Sequence, residues 1–262
     1  MSTHHAGTSL RGRVAIVTGA SAGIGEAIAR SFHAQGASLV LNARRVERLK
    51  AVGDSLPGSA CVAGDAADHS VIGSMLDGAK ATFGREADLV VVNAGRGLNG
   101  SVITSDTAAW EEMVRTNVLG AARLIREAGL RMAAASQGRS GADVLVAPRD
   151  IIVIGSIVGR HVSPFSSMYG GTKFAVHGMV EGVRRELAPK GVRVSLIAPG
   201  FVVSEFQGVA GYDPTWVDDV FQRIGPPLVP DDVARTASFI ASQPAGVHVG
   251  DIVIRPTRQD YP

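Results

Sequence analysis

The chain has little that would take it outside the class of ordinary globular proteins. Cys61 is the single cysteine in 262 residues; this excludes an intramolecular disulfide and fits a reducing compartment, so a cytoplasmic location is expected. Cys61 itself reads as a small buried apolar residue. No window holds the roughly 18 continuous apolar residues a membrane span needs. The opening MSTHHAGTSLRGR has no apolar segment of the kind a secretory signal carries. His4 and His5 fall in that opening without the ligand types a metal would need, and no metal site is expected. An excess of one charge is also missing: 26 Lys and Arg against 24 Asp and Glu leave a formal +2. These charges are scattered rather than clustered, so neither nucleic acid nor a membrane surface is indicated as a partner. No Pro- or Ser-rich linker, repeat or low-complexity tract divides the chain.

What is present is a rhythm. Apolar runs of strand length recur at 14–18, 38–42, 60–64, 88–93, 151–156, 193–199 and 251–254, continuous rather than alternating, as strands covered on both faces require. Helical patterns fill the intervals at 24–35, 45–54, 69–83, 107–136, 168–188 and 231–242. Strand alternating with helix predicts an α/β fold, a Rossmann-like doubly wound parallel sheet of about seven strands with helices on both faces. Residues 1–12 read as a flexible tail and 13–262 as one domain. Ligands of such sheets bind beyond the carboxyl ends of the strands.

The first such end reads TGASAGIG. A strand closing at Thr18, a turn at Gly19 and a helix opening near Ile24 gather free backbone N–H groups and a positive helix end at one point, which suits a pyrophosphate. Gly19, Gly23 and Gly25 spare the turn and the ligand a side chain, although three glycines also suit a merely tight connection. Their spacing, Gly-x-x-x-Gly-x-Gly, resembles that of the short-chain dehydrogenase/reductase family, which implies a nicotinamide dinucleotide held by Gly19, Ser21, Ala22, Gly23, Ile24 and Gly25. The second strand ends in Asn42, Ala43, Arg44 and Arg45 with no carboxylate at its tip. Guanidinium groups take phosphate in a bidentate fork, so Arg44 and Arg45 point to NADP(H) over NAD(H), against the alternative of a solvated helix start. The same resemblance places the adenine at Asp65 and Ala66. It also maps the family's Asn-Asn-Ala-Gly onto Asn93, Ala94 and Gly95, with Val92 replacing the leading Asn. The family's Pro-Gly-x-Val-x-Thr falls on Pro199, Gly200, Val202 and Ser204, serine keeping the hydroxyl.

Tyr169 and Lys173 stand four apart and share one helix face. A phenol is a poor acid–base catalyst at neutral pH, and a nearby ammonium favours its phenolate. Ser156 closes the fifth apolar run, thirteen residues before Tyr169. Singly, each has an ordinary explanation as a core residue, a surface charge or a strand end. Jointly they resemble the family's Ser–Tyr–Lys triad, with Asn117 matching its helix asparagine, which holds a water linking the lysine to solvent. The implied activity is hydride transfer between NADP(H) and a small ketone, aldehyde or hydroxy acid. Tyr169 is then general acid/base, Ser156 orients the substrate oxygen, and Tyr169 and Lys173 also hold the cofactor.

Substrate contacts are expected from Ser156, Ile157, Val158, His161, Val162 and Tyr169, and from a loop at 204–228 whose Tyr212, Trp216 and Phe221 face either substrate or another subunit. His161 either binds a polar substrate group or is an idle rim residue. The ending IRPTRQ resembles members acting on small hydroxy acids and related aldehydes. The stretch 136–150 is longer than the family's usual connection and reads as a surface insertion. Family membership also implies a homotetramer or homodimer through helices 107–136 and 168–188. A catalytically silent NADP-binding regulator of the same fold is the competing reading, as are, within enzymes, an epimerase or dehydratase.

Overall fold

The computed structural model describes residues 9–161 and 163–260. Seven parallel strands form one sheet: β1 (Val14–Thr18), β2 (Ser38–Ala43), β3 (Ala60–Ala63), β4 (Leu89–Val92), β5 (Asp150–Ile154), β6 (Arg193–Pro199) and β7 (Asp251–Ile254). Their order is β3-β2-β1-β4-β5-β6-β7. The chain therefore winds outward from β1 in one direction and from β4 in the other, and the reversal between β1 and β4 opens a crevice at their carboxyl ends. Successive side chains of a strand face opposite ways. Ala15 and Val17 accordingly pack with Ile28 and Phe32 of α1 (Gly23–Ala34) and Val233 and Ala237 of α9 (Pro230–Ala241). Val14 and Ile16 pack with α3 (His69–Phe83), α5 (Ala121–Ala134) and α6 (Ser167–Leu187).

The opposite edge of the sheet is fastened by charge. Arg13, just before β1, donates through Nε to Asp88 Oδ1 and through Nη2 to Asp150 Oδ2, both at 2.7 Å. Arg193 meets Asp150 from the other side at 2.7 and 2.8 Å and caps the carbonyls of Gln243, Pro244 and Val247. These four residues join the amino-terminal ends of β1, β4, β5 and β6, and Asp150 is fully buried. Buried ions survive only when paired and hydrogen-bonded, as they are here.

Three expectations change. The helix expected over 107–136 is interrupted: a short 3-10 turn and α4 (Trp110–Val114) lead into a π-helical turn at Arg115–Gly120 before α5. Cys61 is exposed, not buried, because β3 is an edge strand whose burial alternates. The 1–12 tail extends too far into the domain: residues 1–8 lie outside the described residues, but Leu10 is 1% exposed within the core and its N–H donates to Gln35. The insertion at 136–150 lies at the surface as expected, with 137–143 and 145–147 exposed, and is anchored at its end by the buried Arg149, which caps the carbonyls of Met132, Val144 and Lys190.

Candidate functional site

A cleft of about 740 Å³ opens at the carboxyl ends of the strands. At its centre Thr18 ties the two diverging halves of the sheet. The Thr18 hydroxyl donates to the Val91 carbonyl and accepts from the N–H groups of Asn93 and Ala94. Gly19 and Gly23 have φ of +68° and +57°, conformations that L side chains rarely adopt. Gly25 does not line the cleft; a Cβ there would lie 2.3 Å from the Gly19 carbonyl, so its role is to let α1 pack against the turn. The Ala22 cap supplies no side-chain acceptor to the first turn of α1. Its leading N–H groups are thus left for an anion.

At the far end of the cleft Arg45 donates to the Ser21 hydroxyl through Nε and Nη2, both at 3.2 Å, while Arg44 pairs with Glu112 of α4 at 3.0 Å. Asp65 and Ala66 line the same wall. Burial works against the Asp65 charge, but the Ala67 N–H and Arg115 hold its carboxyl below the usual range. Thr116 Oγ1 is buried at this wall without a hydrogen-bond partner among the described residues. A dinucleotide fits these features: orphaned helix donors for its phosphates, glycines where a Cβ would intrude, and a polar wall with an unspent hydroxyl.

Ser156, Tyr169 and Lys173 converge on the inner half of the cleft. Ser156 follows β5, and its Oγ accepts the Val158 N–H at 3.4 Å at the start of a 3-10 turn. Tyr169 is 7% exposed. Burial pushes its phenol above the ordinary value, opposed by the nearby Ser156 hydroxyl. Lys173 Nζ donates to the Ile154 carbonyl at 3.0 Å and lies 5.8 Å from the Tyr169 ring centroid. Burial lowers its pKa to about 8. The ammonium thus faces the ring and the strand end, and in this arrangement burial, not the lysine, dominates the tyrosine. Asn117 lies behind the cleft wall in the π turn. It pairs with the Arg96 backbone and donates to the Thr172 hydroxyl at 3.1 Å, which in turn donates to the Tyr169 carbonyl at 2.7 Å.

A family model described as short chain dehydrogenase matches residues 13–213. The chain belongs to the short-chain dehydrogenase/reductase family. An uncharacterized oxidoreductase of Staphylococcus aureus (strain USA300) is 33% identical over 251 residues, 95% of this chain and 99% of the relative. Among solved structures, the closed form of a serine dehydrogenase complexed with NADP+ aligns with a TM-score of 0.84 at 29% identity, over 95% of this chain and 96% of that one. A 3-ketoacyl-(acyl-carrier-protein) reductase from Brucella melitensis complexed with NADH shares the fold, with a TM-score of 0.83 at 24% identity over 95% and 99% of the two chains. The protein is therefore an oxidoreductase of this family with a site for a nicotinamide cofactor.

In this short-chain dehydrogenase the 204–228 segment is two helices rather than a loop, α7 (Phe206–Val209) and α8 (Pro214–Ile224). Val202 bridges Leu228, closing the base of the segment. Phe206 rests on the Tyr169 ring at 5.5 Å, and Tyr212 stacks on Trp216 at 5.4 Å. Tyr212 and Trp216 line the cleft; Phe221 instead packs edge-on against Phe201 behind them. Pro199, Gly200, Val202 and Ser204 line the floor, and Ser204 Oγ accepts the Phe206 N–H at 3.2 Å. The IRPTRQ ending turns out to serve this floor: Gln259 Oε1 accepts the Phe201 N–H at 3.1 Å. Ile157 and Val158 line the cleft as expected, whereas His161 is exposed and outside its lining, and Val162 falls outside the described residues. Asn93 ties β4 to β1, its Nδ2 donating to the Thr18 carbonyl at 2.9 Å, while Ala94 and Gly95 give the open backbone beside it.

Sequence reasoning missed three residues that shape the site. Thr18 was visible as a hydroxyl directly before the glycine turn. His177 sits one turn beyond Lys173, and its Nε2 accepts the Ser156 N–H at 3.4 Å. Glu205 carried no local signal at all, because its partners lie far away in the chain.

Proposed function

We propose that this protein is an NADP(H)-dependent carbonyl reductase, equivalently an alcohol dehydrogenase, with Tyr169 as general acid/base. The observation that carries the reading is the convergence of Ser156, Tyr169 and Lys173 on one wall of a dinucleotide-sized cleft. The bound cofactor supplies the hydride. Tyr169 gives its phenolic proton to the carbonyl oxygen of the substrate in reduction and takes it back in oxidation. The Ser156 hydroxyl, which shares this wall with the phenol and opposes the upward pull of burial on it, orients and polarises that oxygen. Lys173 contributes positive charge beside the phenolate as it forms, and its Nζ lies where a ribose hydroxyl of the cofactor can be held. Arg45, held in place by Ser21 through Nε and Nη2, offers its guanidinium charge to a 2′-phosphate.

The substrate side is apolar and aromatic. Phe165, Phe201, Phe206, Tyr212 and Trp216 line the cleft, a concentration that stands out in a chain with 5% aromatic residues. A small ketone or aldehyde bearing an apolar group matches this wall better than a highly charged substrate. Leu130 on α5 and Phe174 on α6 leave apolar side chains exposed, in keeping with a homodimer or homotetramer built on these helices.

The test is a binding titration with NADPH and NADH, followed by loss of nicotinamide absorbance against a panel of ketones, aldehydes and semialdehydes. Tighter NADPH binding with oxidation on part of the panel supports the reading. Preference for NADH would overturn the assignment of Arg45, and binding without turnover on any panel member would favour a silent regulator.

A further inference from the structure

The arginines at the adenosine end are already engaged by an anion of the protein's own. Arg45 Nη1 donates to Glu205 Oε2 at 2.6 Å, and Arg48, one turn along α2 (Val46–Asp54), donates to Oε1 of the same carboxylate. Glu205 stands 160 residues beyond Arg45 and directly precedes α7. The two pairs therefore span the mouth of the cleft, from the end of β2 to the segment that covers the catalytic tyrosine. The other strand-end arginine, Arg44, pairs instead with Glu112, a carboxylate it shares with Arg96. One carboxylate thus serves two guanidinium groups, leaving a local excess of positive charge.

Resting on the NADP(H) reading, we propose that Glu205 is a specificity-determining residue that acts as an internal surrogate for the ribose 2′-phosphate and is displaced by it. Carboxylate and phosphate oxygens use the same guanidinium donors. Arg45 spends Nε and Nη2 on Ser21, so Nη1, the donor to Glu205, is the one available to an incoming phosphate. Arg45, Arg48 and Glu205 are about half exposed, with side-chain values of 44%, 54% and 49%. Ion pairs so exposed are weak and readily exchanged for a dianion. A cofactor with a 2′-hydroxyl brings no charge to compete and leaves the bridge in place. A ligand shifts a conformational balance only by its differential affinity for the two states, so only the 2′-phosphorylated dinucleotide releases Glu205. Because Phe206 is the next residue and rests on the Tyr169 ring, that release is transmitted to the cover over the phenol.

The experiment compares wild type with Glu205→Gln, an exposed and nearly isosteric change, in binding of NADPH, NADH and adenosine 2′,5′-bisphosphate. Removing the competing carboxylate is expected to tighten NADPH and the bisphosphate by about fivefold while NADH moves by less than about twofold. In a Trp110→Phe background, which leaves Trp216 as the reporter on α8, the bisphosphate is expected to shift the emission and adenosine 5′-monophosphate to leave it unchanged. A wild type that prefers NADPH, with a Glu205→Gln variant that leaves the NADPH-to-NADH ratio unchanged, would overturn the role of Glu205 alone. A wild type that prefers NADH and does not bind the bisphosphate would overturn the cofactor reading and this inference with it.

Discussion

Asn117 and Arg96 are paired in both directions: Asn117 Oδ1 accepts the Arg96 N–H at 2.9 Å, and Asn117 Nδ2 donates to the Arg96 carbonyl at 2.9 Å. A side-chain amide here takes the place of a neighbouring strand for the loop after β4. The π turn at Arg115–Gly120 is what presents it there. Asn117 is 3% exposed, so neither bond is easily replaced by water.

Replacing Asn117 by Leu leaves the Arg96 N–H and carbonyl without partners, at a cost of about 1–3 kcal/mol for each buried group. Asn117→Asp keeps the acceptor and loses the donor, so its urea midpoint is expected between those of wild type and Asn117→Leu. Turnover is expected to fall in the same order, because a Cβ at Gly95 would already lie 3.3 Å from Asn117 Oδ1 and 4.0 Å from Lys173 Nζ. Equal midpoints for the two variants would show that the acceptor half of the pair contributes nothing, and an Asn117→Asp midpoint equal to that of wild type would show the same of the donor half.

Tyr169→Phe removes the transferable proton and keeps the ring against Phe206. Cofactor affinity is expected to stay within about threefold, while carbonyl reduction falls by about 10²–10⁴, the usual contribution of a positioned acid. Isothermal titration and steady-state kinetics on the same preparation separate the two effects.

The alkaline limb of reduction is expected to follow Lys173. Burial pushes the Tyr169 phenol up, so it remains protonated and able to donate through mildly alkaline pH. Lys173, lowered to about 8 by burial, loses first the charge that favours the forming phenolate. The pH profile of kcat/KM, which reports groups of the free enzyme, should therefore decline as pH rises through about 8. In Lys173→Met the rate is lower throughout and this limb is absent.

His177 makes a stability prediction in the acid range. Burial, followed by the charges of Lys173 and Arg160, lowers its pKa to about 4, with Asp251 opposing. Its unfolded value is about 6.5. Between these values the unfolded chain binds more protons than the folded one, so this contribution to stability is lost as pH falls from about 6.5 to 4. Protonation would also remove the acceptor for the Ser156 N–H. Urea midpoints of His177→Asn should show a flatter dependence over this window than wild type; an unchanged slope would place the acid sensitivity elsewhere.

The buried charge row predicts a large cost with no catalytic signature. Asp150→Asn leaves Arg13 and Arg193 partly uncompensated, which is expected to lower stability by about 3–5 kcal/mol. NADPH affinity of the folded fraction should not change, since the row lies at the edge of the sheet away from the cleft.

Much of this was legible in the sequence for a physical reason: strands covered on both faces must be continuously apolar, and the glycine turn must follow the first of them. The Ser156–Tyr169–Lys173 set was legible through helical spacing and its place at a strand end. The π turn was not, because one extra residue in a helical ladder leaves the apolar pattern of 107–136 almost unchanged. Cys61 misled because a short strand reads the same in the centre of a sheet as at its margin. Gly25 was assigned to the ligand from its spacing, yet the atoms nearest its missing side chain belong to Gly19 and Asn93. Glu205 lay beyond any local pattern, since only the folded chain brings it to Arg45 and Arg48.

The Arg13–Asp88–Asp150–Arg193 row has a bearing on how such a protein is altered. Four strands are clamped at the rim that takes no part in chemistry, so the frame does not depend on the segments at the other rim for its cohesion. The segment from 205 to 225 is in that sense a cassette. Grafting a different segment between Val202 and Leu228 is a change of specificity made on an intact chassis, and a cut at the charged rim would be a change of the chassis itself.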